Sequence, residues 1–272
     1  MAELIIVFRE VLEASLIVGI LYTYLNKTEQ HGAILRLWQG VISAIGASIV
    51  GSILFQMFAN GFKGQAAKLF EGIVMIAAAG ILGTVIVWMA KNRNIAEELK
   101  EKADEALSSD KVGYGIFALS FISVFREGIE TILFLYGVMV KQGGLNIVLS
   151  LVGAALGIGI AFLIFVQGKK VPLKTFFNVT SMLLIFVAAG MFTYGIHELE
   201  SAGIIKDYGR IWDINPPKLA DGTYPLLHDK GHIGGLFKGL FGYNGDPSII
   251  ELIFWLSMVT GLSYMWRKFA TK

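Results

Sequence analysis

Val7-Phe8-Arg9-Glu10-Val11-Leu12-Glu13 lies inside the apolar run Leu4–Leu25, and the same pattern returns as Val124-Phe125-Arg126-Glu127-Gly128-Ile129-Glu130 inside Val112–Val140. Each copy buries three ionisable residues in a stretch long enough to cross a bilayer as a helix, which needs about 20 apolar residues. A charge at the bilayer centre costs roughly 2.5–3.5 kcal/mol, so six facing lipid alone would cost on the order of 15–20 kcal/mol. They must face inward. On a helix Arg9 and Glu13 are i,i+4 neighbours and Glu10 and Glu13 are i,i+3 neighbours, so all three share one broad face, as do Arg126, Glu127 and Glu130. Two arginines against four glutamates leave an excess of negative charge that suits a cation.

Around these copies the chain reads as polytopic. Of its 272 residues 55% are hydrophobic and 16% charged, with a mean hydropathy of +0.64. Soluble domains carry about 25% charged residues. Besides the two motif spans, Leu37–Phe58, Leu69–Ala90, Leu145–Val166, Phe176–Ile196 and Ile249–Trp266 qualify, which predicts an all-α bundle of seven transmembrane helices. The first span has no basic leader or small-residue cleavage site and is expected to remain in place. Strand spans would alternate, and no such alternation appears. A net charge of +2 gives no reason to expect nucleic acid.

Basic residues orient the bundle. Lys27, Arg36, Lys91, Arg93, Lys100, Lys102, Lys111, Lys169, Lys170, Lys174, Arg267, Lys268 and Lys272 fall on one side, against Lys63, Lys68 and Lys141 in the opposite short loops. The N-terminus is therefore predicted outside and the C-terminus inside. Helix one runs inward and helix four outward, so residues 1–90 and 112–197 form two inverted three-helix units. The extracytoplasmic loop 198–248 and a seventh helix, 249–266, complete one transmembrane domain. Inverted repeats place substrate sites at the midplane between them. Residues 91–111 read as a short polar helix with Glu98 and Lys102 at supportive spacing.

No cysteine is present, and none of the four histidines lies deep in a span. The candidate ligands are therefore the oxygens of Glu10, Glu13, Glu127 and Glu130, donors that suit hard cations. The sequence holds no Glu-x-x-His pair, nucleophile elbow or phosphate loop, so no enzyme and no resident cofactor are expected. A proton-coupled carrier of another cation or solute, with the same glutamates as a proton relay, fits these residues equally. Glu71, near the outer end of helix three, and His197, Glu198 and Glu200, ending helix six, are candidates for entry. His228, Asp229 and His232 also bear donors, but Gly231, Gly234 and Gly235 argue there for a loop rather than a helix. Gly153, Gly157 and Ala161 share one face of helix five, a stripe for close packing within a protomer or between protomers of a homo-oligomer.

The repeated motif resembles the signature of the oxidase-dependent iron transporter family, the fungal high-affinity iron permeases and bacterial iron-uptake permeases. That signature is Arg-Glu-Gly-x-Glu in helices one and four. Arg126-Glu127-Gly128-Ile129-Glu130 matches it fully, and Arg9-Glu10-Val11-Leu12-Glu13 has Val in place of Gly. Further similarity lies at Phe70-Glu71-Gly72, His197-Glu198-Leu199, Leu240-Phe241-Gly242-Tyr243 and Pro247-Ser248. The resemblance implies uptake of iron, expected as ferric ion, across the plasma membrane. It also implies a separate oxidase or periplasmic iron-delivery protein as partner. The four motif glutamates would be ligands, with Arg9 and Arg126 orienting them.

Overall fold

The computed structural model describes residues 2–91, 95–108, 112–168, 173–206, 208–215, 224–229 and 231–270. Apart from one antiparallel bridge between Arg210 and Ser248, every regular element among them is an α-helix. In chain order these are α1 (Ala2–Lys27), α2 (His31–Ala59), α3 (Gln65–Lys91), α4 (Ile95–Ser108), α5 (Val112–Gln142), α6 (Ile147–Phe165), α7 (Leu173–Ser201), α8 (His232–Phe241) and α9 (Ile249–Ala270). Helices satisfy every backbone polar group internally, which the bilayer core demands.

Five of them, α2, α3, α6, α7 and α9, are long and apolar enough to cross a membrane. The motif helices α1 and α5 have 26 and 31 residues but carry the motif charges in their middles. Ile42, Ile45, Ile49 and Ile53 of α2 and Leu151, Ile158 and Phe162 of α6 are exposed. Such continuous apolar faces fit lipid and would be a liability in water. The molecule is a multi-pass membrane protein. Arg93, Lys111, Lys169, Lys170 and Lys272, counted above for orientation, lie outside the described residues.

Three helix pairs carry most of the packing: α1 with α6, α2 with α5, and α3 with α7. Glycines permit the close approaches. A Cβ at Gly157 of α6 would stand 3.0 Å from Phe8 O and Leu12 N of α1, and one at Gly40 of α2 would stand 2.6 Å from Phe117 O of α5. Gly72 of α3 and Gly195 of α7 face one another's carbonyls in the same way. Gly153, Gly157 and Ala161 are all buried, so this stripe packs within the protomer. Val11, which replaces the motif glycine in α1, faces Gly157, whereas Gly128 in α5 faces Ser48. Bulk in one helix is matched by its absence in the other.

The polar helix expected at 91–111 is α4. It buries Leu99 and Ala103, the latter against Leu21 and Leu25 of α1 and Ile116 of α5, and Glu98 and Lys102 pair at 2.7 Å. The segment between α7 and α9 corrects the sequence reading. Residues 232–241, expected as loop, form α8 despite Gly234 and Gly235. A Cβ at Gly234 would strike His228 O, so the glycines let this short helix lie directly on the preceding turn. Gly242, in the left-handed region at φ 72°, ends it.

A buried carboxylate centre

Two oppositely running helices, α1 and α5, bring the motif copies face to face. Glu10, Glu127 and Glu130 converge, each offering a carboxylate oxygen within 4.8 Å of the others, and all three are buried. Glu13 is buried as well, but its Oε1 lies 2.8 Å from Arg9 Nε, and it stands outside that trio. Arg9 Nη1 donates to Glu10 Oε1 at 2.6 Å. Arg126 repeats the pattern more loosely, with Nη2 3.1 Å from Glu127 Oε1 and Nε 3.2 Å from Glu130 Oε1.

Both arginines thus brace their own helix's glutamates, yet many acceptors remain. Among the described residues Glu10 Oε2, Glu127 Oε2 and Glu130 Oε2 have no hydrogen-bond donor, and Glu13 Oε1 and Glu127 Oε1 have only an arginine nitrogen at an angle unsuited to a hydrogen bond. An unsatisfied buried polar group costs about 1–3 kcal/mol, and more when charged. A cation bridging α1 and α5 would satisfy several of these oxygens at once.

The equivalent arginines differ in their surroundings. The Arg9 side chain is 1% exposed and that of Arg126 46%. A single turn of α3 meets both: Arg9 Nη2 donates to Met89 Sδ at 2.8 Å, and Arg126 Cζ lies 5.2 Å from the centre of the Trp88 ring. No sequence signal marks Trp88 or Met89, since neither belongs to the repeat.

A second cluster lies where α7 ends and α9 begins. His197, Glu200 and Glu251 offer ligand atoms within 4.8 Å of one another. His197 Nδ1 is 2.9 Å from Glu251 Oε1, Asn244 Nδ2 donates to Glu251 Oε2 at 2.6 Å, and Ser248 Oγ donates to Glu200 Oε1 at 3.0 Å. Glu251 was not singled out from sequence. Ser248 and Glu251 form the S-x-x-E pattern of a helix start, and Glu251 N does bond Ser248 Oγ at 3.1 Å. The Glu251 carboxylate turns instead to His197 and Asn244.

Glu198, on another face of α7, is buried, hydrogen-bonds Tyr194 and faces Glu71 of α3. A polar cavity of about 130 Å³ beside the cluster is lined by Lys141, Tyr194, His197, Asp229, Lys238 and Glu251. Asp229 is committed to structure: Oδ2 accepts from Lys238 at 2.9 Å and Oδ1 from Gly245 N at 2.7 Å. His228 lies before α8, so the spacing of His228 and His232 is not held on one helix.

An all-helical membrane bundle that buries a cluster of carboxylates between two of its helices fits the class of membrane transporters. Its family follows from comparison: residues 1–272 match the model of the iron permease FTR1 family, and the chain belongs to that family. An uncharacterised protein of Archaeoglobus fulgidus is 32% identical over 267 residues, covering 96% of this chain and 92% of that relative. The ferrous iron permease EfeU of Escherichia coli O6:H1 is 31% identical over 254 residues, covering 92% and 89%. The ferrous iron permease EfeU of Yersinia pestis is 30% identical over 265 residues, covering 95% and 90%. No solved structure matches. The protein is a multi-pass plasma-membrane permease of an iron-transport family.

Proposed function

We propose that iron crosses through the centre formed by Glu10, Glu13, Glu127 and Glu130, with Arg9 and Arg126 holding these carboxylates in place. The observation that carries this reading is the convergence of Glu10, Glu127 and Glu130 from two helices, each with a second carboxylate oxygen that has no hydrogen-bond donor among the described residues. Partial neutralisation by the arginines keeps the cation from binding irreversibly, and conduction needs release as well as capture.

The cargo in this reading is ferric ion. A centre whose proposed ligands are all carboxylate oxygens favours the harder ion. A separate oxidase or periplasmic carrier delivers it. His197, Glu200 and Glu251 receive it at the outer mouth, and Glu71 and Glu198 pass it inward. The names of the bacterial relatives specify ferrous iron instead, so the oxidation state is part of the test.

Seven spans, with the N-terminus outside, place α1–α3 and α5–α7 as inverted units. Exchanging α1 with α5, α2 with α6 and α3 with α7 carries each of the three main helix pairs onto one of the three, which supports this arrangement.

The experiment is iron flux into proteoliposomes, run with ferric citrate and with ferrous iron under ascorbate. Glu10→Gln and Glu127→Gln should abolish flux while the protein still folds. Wild-type flux in either variant would overturn the carboxylate site. Flux restricted to ferrous iron would overturn the ferric assignment alone. Proton movement without iron movement would favour the proton-relay carrier.

A further inference from the structure

The repeat accounts for arginines and glutamates, but a third element touches the centre without belonging to either motif. It is the last turn of α3. Successive residues on a helix point about 100° apart, so Trp88 and Met89 can meet two different neighbours, and they meet the two motif arginines.

The chemistry of these contacts is unusual for a charged centre. Arg9 divides its donors: Nη1 goes to Glu10 and Nε faces Glu13, while Nη2 goes to a thioether, a weak and neutral acceptor. Arg126 faces Glu127 and Glu130 with its edge while its guanidinium carbon lies over an indole. Aromatic faces attract guanidinium without consuming a carboxylate oxygen.

An arginine in a cation site competes with the cargo for the same oxygens, and a bidentate arginine–carboxylate pair is among the strongest such contacts. Each guanidinium here is partly diverted to an uncharged partner. The arginines hold one oxygen each of Glu10, Glu127 and Glu130, and the second oxygen of each has no hydrogen-bond donor among the described residues.

We propose that Trp88 and Met89 are positioning residues that draw Arg126 and Arg9 away from the carboxylates, and so set how tightly the centre holds its cation. This rests on the reading of the motif glutamates as the iron site. A plainer role exists for a tryptophan in the last turn of a span, anchoring at the membrane interface. The two roles predict different kinetics.

The test measures the concentration dependence of iron flux in proteoliposomes for wild type, Trp88→Phe, Trp88→Leu and Met89→Leu. Freed arginines should compete harder, so Trp88→Leu should raise the KM for iron by roughly 2- to 30-fold, the range spanned by cation–π energies. Trp88→Phe, which keeps an aromatic face, should fall between Leu and wild type. Met89→Leu, of similar volume but without the sulfur, should also raise KM. In an Arg126→Gln background, Trp88→Leu should shift KM no further, because the group it restrains is gone.

A purely anchoring role would lower the amount of folded protein and the maximal flux together, leave KM at the wild-type value, and make Phe as good as Trp. That result would overturn the proposal while leaving the carboxylate site standing. Absence of iron flux in the wild type would overturn both.

Discussion

Replacing Arg9 should destabilise the protein far more than replacing Arg126, although the two positions are equivalent in the repeat. The Arg9 side chain is 1% exposed and holds Glu10 at 2.6 Å and Glu13 at 2.8 Å. Arg9→Leu leaves both carboxylates buried without their cation, and breaking a buried pair in this way costs about 3–5 kcal/mol. The Arg126 side chain is 46% exposed, with contacts of 3.1 and 3.2 Å. For such a half-open pair the loss is about 1 kcal/mol or less. In a chain of this size 1 kcal/mol moves Tm by about 2–4 °C. Arg9→Leu should therefore lower the midpoint by about 6–20 °C, and Arg126→Leu by no more than about 4 °C. The assay is thermal unfolding of purified protein in detergent, followed by the fluorescence of its five tryptophans. An Arg126→Leu shift as large as that of Arg9→Leu would refute the argument, because the repeat alone would then dictate the energetics.

Glu10→Ala and Glu130→Ala should each impair iron flux severely, with the double variant little worse, because groups acting as one unit are strongly non-additive; independent halving by each would mean separate sites. Gly157→Ala places a Cβ 3.0 Å from the α1 backbone and should cost about 1–3 kcal/mol, whereas Gly159→Ala, with nothing within 4 Å, should unfold with wild type in the same melt. Cysteine-free throughout, the chain suits labelling: in intact cells a cysteine at Ile204 should react with impermeant reagents and one at Ser108 only with permeant ones, and the opposite pattern would reverse the orientation.

What could be read directly from sequence was whatever depends on local composition. Apolar runs of bilayer length mark a multi-pass helical protein because lipid offers the backbone no other partner. The repeated Arg-Glu-x-x-Glu stood out because charges at that depth are too costly to lie there without partners. The polar helix α4 was legible from its charge spacing, and the stripe of Gly153, Gly157 and Ala161 from its periodicity. Periodicity says which residues share a face, but not what that face meets. Only the packing of α1 against α5 decided that Glu10 joins Glu127 and Glu130 while Glu13 stays beside Arg9. Only the end of α3 made the two arginines unequal and brought Trp88 and Met89 to the centre. Glu251 was hidden behind an ordinary helix-start pattern, and α8 behind glycines that read as breakers until the turn they pack against was in place. Each of these depends on contacts between segments distant in the chain, where the partner's position is set by the whole bundle and not by the residues on either side.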